Sequence, residues 1–463
     1  DRNEVDDVMS KTIAAVATGP ASGPIGIIRV SGPQTLAIVD TIFTPQGGGV
    51  LSERPNRLLT YGALHSRDGK VIDHCLCCVM HAPNSYTGED MAEIQCHGSP
   101  AVLSETLSAL CAKGAVQAEP GEFTRRAFLA GKMDLSGAEA VHDLVTAVTT
   151  QAAENAAAQL DGVVGTHIFE IRQQLVDLVA EFLAVVDYPD EEIDSHLFDS
   201  ACEILHRATS ELYDMAETYE RGRILREGIP CAILGRPNAG KSSLLNALAG
   251  VDRAIVTNIP GTTRDVIEET IRIGAVVLRL YDTAGLRDTQ DPVEKMGIDR
   301  AMKQAQASSL ILAVFDSSDH ISDDDLMVIA RTHGKRTIAV LNKSDLPSEL
   351  DVQNIQRHFD YVVSVSAKTG EGLQELYDLI PKVVGMDGMS FDGSTITNAR
   401  QAAALVRAAE RCEEAFVAAQ LGMTPDAIVM DAEGAIAALG EITGQTVRDD
   451  IVSTIFSKFC VGK

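Results

Sequence analysis

The stretch Gly235-Arg236-Pro237-Asn238-Ala239-Gly240-Lys241-Ser242-Ser243 decides how the chain is to be read. It fits the pattern G-x-x-x-x-G-K-[ST], follows the apolar run 231–234 and opens a helical stretch at 244–248. A strand, loop and helix in that order cradle phosphate. The glycines let successive backbone N–H groups wrap the anion, and the helix N-terminus favours negative charge. Lys241 is placed to reach the β- and γ-phosphate oxygens, and Ser242 to give Mg²⁺ a hydroxyl.

Four further motifs lie downstream, each at the end of a strand-like run or between two of them. Asp282-Thr283-Ala284-Gly285 follows the run 276–281 and sets a carboxylate beside the metal and a glycine amide beside the γ-phosphate. Thr262 and Thr263, inside Gly261-Thr262-Thr263-Arg264-Asp265, sit where a switch loop supplies a hydroxyl to Mg²⁺. Asn342-Lys343-Ser344-Asp345 closes the run 337–341, where a carboxylate accepts both guanine N1–H and the exocyclic amine, a donor pair that adenine lacks. Ser366-Ala367-Lys368 follows the run 361–365 and can close over the base. Together the five motifs imply a guanine-nucleotide hydrolase. The runs 231–234, 276–281, 310–315, 337–341 and 361–365 are short and almost wholly apolar, as strands of a parallel sheet covered on both faces read. The residue after Asp282–Gly285 is Leu286, where Ras-type enzymes use a glutamine to orient the attacking water. Chemistry alone offers Glu294, Asp288, Asp291 and Arg287 as replacements, and Glu294 also reads as an ordinary solvated carboxylate near a helix start.

Around this unit the period changes. The 463 residues suggest about three domains at roughly 150 residues each. Residues 12–131 alternate strand-like runs (12–17, 25–31, 71–80) with a helix at 34–43, an α+β pattern. From 135 the spacing turns helical: Val141, Leu144, Val145, Val148 and Ala152 make one stripe, and Ile171, Leu175, Leu178, Phe182 and Val185 another. Helices resume after a Gly/Met/Ser-rich linker at 385–394, with a stripe of Leu405, Ala409, Cys412 and Phe416. Thr424-Pro425 reads as a cap with proline in the first turn. The expected fold class is multidomain α+β and α/β: an α+β domain over 1–131, helical segments over 132–226 and 386–463, and a Ras-like P-loop α/β domain over 227–385 inserted between them.

The formal charge is −27, of which 131–225 carries −14. A broad phosphate-neutralising surface is thereby excluded, so any nucleic acid meets a local site or a basic partner. Nine cysteines without disulfide-like spacing fit a reduced, cytosolic setting, with an organelle matrix as the alternative. Cys75, Cys77 and Cys78 read as small core residues of a strand rather than metal ligands. No run is long and apolar enough to cross a membrane, and residues 1–20 carry no secretory pattern.

The nucleotide motifs, the ending Phe459-Cys460-Val461-Gly462-Lys463, and the stretches Ile27-Ile28-Arg29-Val30-Ser31-Gly32, Tyr86-Thr87-Gly88-Glu89-Asp90, Pro120-Gly121-Glu122-Phe123-Thr124-Arg125-Arg126-Ala127-Phe128 and Asp187-Tyr188-Pro189-Asp190-Glu191-Glu192 resemble the MnmE (TrmE/ThdF) family of tRNA-modifying GTPases. The resemblance covers essentially the whole chain. It implies an N-terminal folate-binding-like domain that dimerises and takes 5-formyltetrahydrofolate or methylenetetrahydrofolate. It implies a homodimer and an FAD-dependent partner, MnmG (GidA), with which the family adds an aminomethyl-type group to C5 of the tRNA wobble uridine, the nitrogen coming from glycine or ammonium. It places GTP on Asn238 to Ser243, on the loop Thr257-Asn258-Ile259-Pro260-Gly261-Thr262-Thr263, on Asp282 to Gly285 and on the base-reading motifs. Mg²⁺ then falls to Ser242 and Thr263, and K⁺ to Asn238, Thr257, Ile259 and Thr262, standing where an arginine finger would. Dimerisation of the G domains orders that loop in the family, and Glu294 matches the glutamate that orients water through a second water. Folate falls to Arg29, Glu93, Lys132 and Lys463. Cys460 reads either as a reactive thiol beside them or as a small buried residue of the last helix.

Two other classes are disfavoured at this level. A ribosome-assembly switch like Era carries a usually basic RNA-binding module after its G domain, whereas the last 78 residues here carry −5. A folate-binding protein with a vestigial G domain would not keep the guanine and Mg²⁺ motifs intact.

Overall fold

The computed structural model describes residues 9–19, 22–187, 195–251, 269–280, 308–389, 391–446 and 449–462. The chain opens with β1 (Ile13–Val16), β2 (Gly23–Ser31), α1 (Thr35–Ile42), β3 (Phe43–Pro45), β4 (Thr60–His65), β5 (Val71–Met80), β6 (Met91–Gly98), α2 (Pro100–Ala112), β7 (Val116–Gln117) and α3 (Glu122–Leu129). Helices α4 (Leu135–Thr146), α5 (Thr150–Leu160), α6 (Val163–Asp187), α7 (Ser195–Glu217) and α8 (Tyr219–Glu227) follow. Next come β8 (Ile229–Leu234), α9 (Lys241–Val251), β9 (Glu269–Ile273), β10 (Val276–Leu280), β11 (Leu310–Asp316), α10 (Asp323–Thr332), β12 (Thr337–Asn342), α11 (Val352–Gln356), β13 (Tyr361–Ser364) and α12 (Leu373–Val383). Helices α13 (Ala399–Gln420), α14 (Pro425–Thr443) and α15 (Asp449–Phe456) end the chain.

The chain divides into two compact units. One is drawn from residues 1–142, 159–201 and 417–463, the other from 143–158 and 202–416. In the first, seven strands run in the order β3-β4-β5-β6-β2-β1-β7, antiparallel except for the parallel pair β1–β7. Alternation decides the faces. Cys75, Cys77 and Val79 of β5 point with Ile28, Val30, Ile94 and Cys96 into a core closed by Ile38, Val39 and Ile42 of α1 and Leu103 and Leu110 of α2. On the opposite face Ile13, Ala15 and Met91 pack on Phe123 of α3. In the same unit α6 lies along α14. The α6 stripe Ile168, Ile171, Leu175, Leu178 and Phe182 is buried, as are Ile428, Ala432, Ala435, Leu439 and Ile442 of α14.

The second unit carries a six-stranded sheet in the order β13-β12-β11-β8-β10-β9, parallel except for the antiparallel edge pair β10–β9. Phosphate-loop chemistry fixes its centre, because β8 runs straight into the loop and then into α9. Leu310, Leu312 and Val314 of β11 and Ile338 and Val340 of β12 are wholly buried, as expected of strands covered on both faces. The chain enters and leaves this sheet at a shared carboxylate. Arg226, at the end of α8, pairs through Nε with Asp143 Oδ1 at 2.9 Å, and Thr397 Oγ1 donates to Asp143 Oδ2 at 2.7 Å. Asn155 Nδ2 donates to the carbonyl of Thr395 at 3.2 Å.

The stripe expected over 141–152 is corrected by the structure. It is split between two helices, α4 ending at Thr146 and α5 starting at Thr150, and Val145 and Val148 are exposed. The reason is local: Thr149 Oγ1 accepts the N–H of Ala152 at 3.1 Å, capping a new helix rather than continuing the old one. Thr424-Pro425 does begin α14, which stops at Gly444 in the left-handed conformation.

Candidate functional site

The loop between β8 and α9 is shaped by backbone angles that ordinary residues avoid. Asn238 lies at φ +61° and Gly240 at φ +92°. A Cβ on Gly240 would stand 2.1 Å from Asn342 Nδ2, so only glycine fits between the phosphate loop and the next motif. Lys241 Nζ donates to the carbonyls of Gly235 at 2.9 Å and Arg236 at 2.7 Å, poised at the rim of the loop it would leave for phosphate.

Asn342, at the end of β12, ties the motifs together. Its Nδ2 donates to the carbonyl of Ala239 at 3.0 Å, and its Oδ1 accepts the N–H of Ala367 at 3.1 Å. Ser366 Oγ donates to Asp345 Oδ1 at 2.7 Å and accepts the N–H of Thr369 at 3.2 Å, which orients the exposed carboxylate. A cavity of about 620 Å³ opens here, lined by Gly240, Ser243, Asn246, Ala247, Asn342, Lys343, Asp345, Leu346, Ala367 and Lys368. Ser344, the third member of the base-reading motif, keeps a buried hydroxyl without a hydrogen-bond partner. The structure thus brings together Asn238 to Ser243, Asn342 to Asp345 and Ser366 to Lys368. The residues Thr257, Asn258, Ile259, Pro260, Gly261, Thr262, Thr263, Asp282, Thr283, Ala284, Gly285, Glu294 and Lys463 lie outside the described residues.

One neighbour of the cavity was missed in the sequence reading. Asp316, the last residue of β11, receives Lys343 Nζ at 2.5 Å on Oδ2, and Ser318 N–H at 3.0 Å and Oγ at 2.7 Å on Oδ1. Burial pushes its carboxyl up, but the hydrogen bonds from Lys343 and Ser318 and the Lys343 charge outweigh it and hold the group below the usual carboxylate range. A carboxylate closing a parallel strand at its C-terminal end is the signal that could have found it.

A second cluster forms at the seven-stranded sheet. Arg29 and Glu93 face each other across β2 and β6, with Nε at 3.0 Å and Nη2 at 2.9 Å from Glu93 Oε1. The guanidinium lies 5.7 Å from the ring centroids of both Tyr86 and Phe123, and its Nη1 donates to the carbonyl of Gly462 at 3.4 Å. The chain end reaches this place because Val461 bridges Pro120 and the carbonyl of Cys460 accepts the N–H of Gly121 at 3.4 Å. Cys460 is exposed and lies beyond the end of α15, so the reading as a small buried helix residue is corrected. Lys132 Nζ donates to the carbonyl of Pro83 at 2.5 Å.

The signature stretches 86–90 and 120–128 meet in a buried ion-pair network. Arg126, wholly buried, donates to the carbonyl of Lys11 at 2.8 Å, to Glu89 Oε2 at 3.1 Å and to Glu122 Oε1 at 2.8 Å. Ser31 Oγ donates to Glu89 Oε2 at 2.8 Å, and Tyr86 Oη and Thr124 Oγ1 lie 2.9 Å apart. These residues frame the Arg29 cluster, since Tyr86 and Phe123 belong to the same stretches.

Among the described residues no group of three or more His, Cys, Asp or Glu is arranged to hold a metal, and no helix is long and apolar enough to cross a membrane. Cys75, Cys77 and Cys78 are buried, and burial pushes the Cys75 thiol up to about 12.

Comparison with known proteins follows the same lines. A family model described as the MnmE helical domain matches residues 135–460, and one described as the GTP-binding protein TrmE N-terminus matches 12–132. The chain is 43% identical over 466 residues to the tRNA modification GTPase MnmE of Roseiflexus sp. (strain RS-1), covering 98% of this chain and 99% of that one. It is 42% identical over 466 residues to that of Heliobacterium modesticaldum (98% and 100% covered) and 40% identical over 455 residues to that of Clostridioides difficile (98% and 99%).

Proposed function

The chain belongs to the family of the tRNA modification GTPase MnmE, and on that premise we propose how its residues divide the work. It is a GTP hydrolase that acts in tRNA modification. The observation that carries the assignment of residues is the convergence of the phosphate loop, Asn342 to Asp345 and Ser366 to Lys368 on one cavity. Lys241 exchanges its two loop carbonyls for β- and γ-phosphate oxygens, while the amides at the start of α9 meet the same phosphates. Asp345, oriented by Ser366, accepts the two guanine donors. Ser242, heading α9, and Thr263 hold Mg²⁺.

Leu286, standing where Ras-type enzymes carry a water-orienting glutamine, sets the rest of the mechanism. Asn238, Thr257, Ile259 and Thr262 hold K⁺, which supplies the positive charge that the transition state needs. Pairing of two G domains (residues 227–385) in a homodimer completes that set, and Glu294 positions the water. Arg29, Glu93, Lys132 and Lys463 take a reduced folate. A carboxylate and a guanidinium partly open to solvent between two aromatic rings suit a flat heterocycle that carries a donor pair and an acidic tail. With the FAD-dependent partner MnmG, the protein adds the aminomethyl-type group to C5 of the wobble uridine in the cytoplasm.

Two measurements test this reading together. GTP turnover in K⁺ buffer is expected to exceed that in Na⁺ buffer by at least tenfold, and equal rates would remove K⁺ from the mechanism. Calorimetric titration with 5-formyltetrahydrofolate is expected to give binding that Arg29→Ala abolishes. No heat from the folded protein would leave a GTPase without a folate site.

A further inference from the structure

We propose that Asp316 is a positioning residue for nucleotide binding, one carboxylate that fixes the phosphate loop through Arg236 and the guanine-reading loop through Lys343. The inference rests on the nucleotide reading above and adds to it a residue that no motif contains.

The geometry is specific. Oδ1 of Asp316 is taken by Ser318, whose N–H lies at 3.0 Å and Oγ at 2.7 Å, so the carboxylate cannot swing. Oδ2 then serves two cations from two different loops, Lys343 Nζ at 2.5 Å and Arg236 Nη2 at 3.8 Å. The Asp316 side chain is only 9% exposed, so these charges meet with little screening by water. The same Nη2 of Arg236 also meets Asp319 Oδ2 at 2.9 Å, and its Nε lies 3.6 Å from Oδ2 of the buried Asp325.

Each arm ends on a group that touches nucleotide. The carbonyl of Arg236 is one of the two that hold Lys241 Nζ, so a shift of Arg236 moves the phosphate lysine. Lys343 has φ +67°, a left-handed conformation unusual for a residue with a Cβ, and lines the base cavity. Its stem can serve as a wall of that cavity only while its ammonium stays anchored. The loop carrying Asp316 is also joined by backbone to the guanine loop, where Ser317 N–H donates to the carbonyl of Asn342 at 2.9 Å. The base end and the phosphate end of the cavity therefore share one fixed point, and losing it should loosen binding rather than slow chemistry.

The test uses the full-length, nucleotide-free protein. GDP affinity by calorimetry and GTP steady-state kinetics are measured for the unsubstituted chain, Asp316→Asn, Lys343→Met and the double variant. For Asp316→Asn, the GDP Kd and the GTP KM are expected to rise roughly tenfold while kcat at saturating GTP falls less than twofold. The double variant is expected to bind only as weakly as Asp316→Asn, because loss of the carboxylate already removes the Lys343 arm. Asp316→Glu should recover part of the affinity. The proposal is overturned if Asp316→Asn binds GDP like the unsubstituted chain, if kcat falls as much as KM rises, or if the two substitutions multiply. Should Asp316→Asn fail to fold, Arg236→Met tests the phosphate arm: a raised KM supports it and an unchanged KM overturns it. Failure of the nucleotide reading itself looks different, since the unsubstituted chain would then take up no GDP.

Discussion

Asp345 is exposed, and a single hydrogen bond from Ser366 Oγ turns its carboxylate in a set direction. On the proposed reading that group accepts guanine N1–H and the amine, so changing an acceptor to a donor should change the base. Asp345→Asn is expected to lower GTP affinity roughly 10- to 100-fold and to admit xanthosine triphosphate, whose C2 carbonyl accepts from the new amide. Competition binding with the two nucleotides decides it, and a variant that still prefers GTP removes Asp345 from base reading. Glu294→Ala should keep GDP affinity and lose turnover by at least a hundredfold, as loss of a water-positioning group does. A variant turning over at full rate assigns the water to another residue. At this scale the sequence was most informative where chemistry tolerates few substitutes. Gly240 was legible because no side chain fits against Asn342, and Asp345 because guanine offers a distinctive donor pair. Asp316 escaped because its partners, Arg236 and Lys343, stand 80 and 27 residues away along the chain and no local spacing announces them.

Elements were legible where burial is uniform and obscure where it is partial. The apolar runs at 231–234, 310–315 and 337–341 became β8, β11 and β12, since strands covered on both faces need no alternation to be seen. The edge strand β9 went unread: in Glu269–Ile273 only Ile271 and Ile273 are apolar, and half of an edge strand faces water. The stripe at 141–152 misled for the opposite reason, because its periodicity survives a break that only the Thr149 cap reveals. The stretches 86–90 and 120–128 were visible as a signature without their physical purpose, which the structure supplies in Arg126. Replacing that buried arginine strands two carboxylates in the interior, and breaking such a pair costs roughly 3–5 kcal/mol. Arg126→Met is therefore expected to lower the melting temperature by roughly 10 °C and to weaken 5-formyltetrahydrofolate binding, because Tyr86 and Phe123 lose their frame. An unchanged melting curve by circular dichroism would show the network to be dispensable.

For the whole molecule, charge constrains the partners. At −27 the chain lacks the clustered lysine and arginine that neutralise phosphates, although it acts in tRNA modification. The proposed division of labour gives the tRNA mainly to the FAD-dependent partner. In filter binding at physiological salt the chain alone should retain tRNA far more weakly than its mixture with that partner, and equal retention would place a tRNA surface on this chain. The α+β and α/β halves were legible from composition and period. The pairing of distant helices was not, because an amphipathic stripe states that a partner exists without naming it.

That pairing has a consequence in time. Helix α6 is finished at residue 187, but its partner α14 begins at 425, with the whole β8 to α12 unit between them. At roughly 5–20 residues per second of synthesis, about 12 to 48 seconds pass before the first residue of α14 exists. Through that interval α6 lacks α14, with Phe182 meeting Phe198 of α7 at 5.6 Å, while the strands of the nucleotide-binding sheet are made one after another. A newborn chain therefore makes its whole nucleotide-binding sheet while α6 still waits for α14, and the helices are the part of this protein for which a chaperone has something to hold.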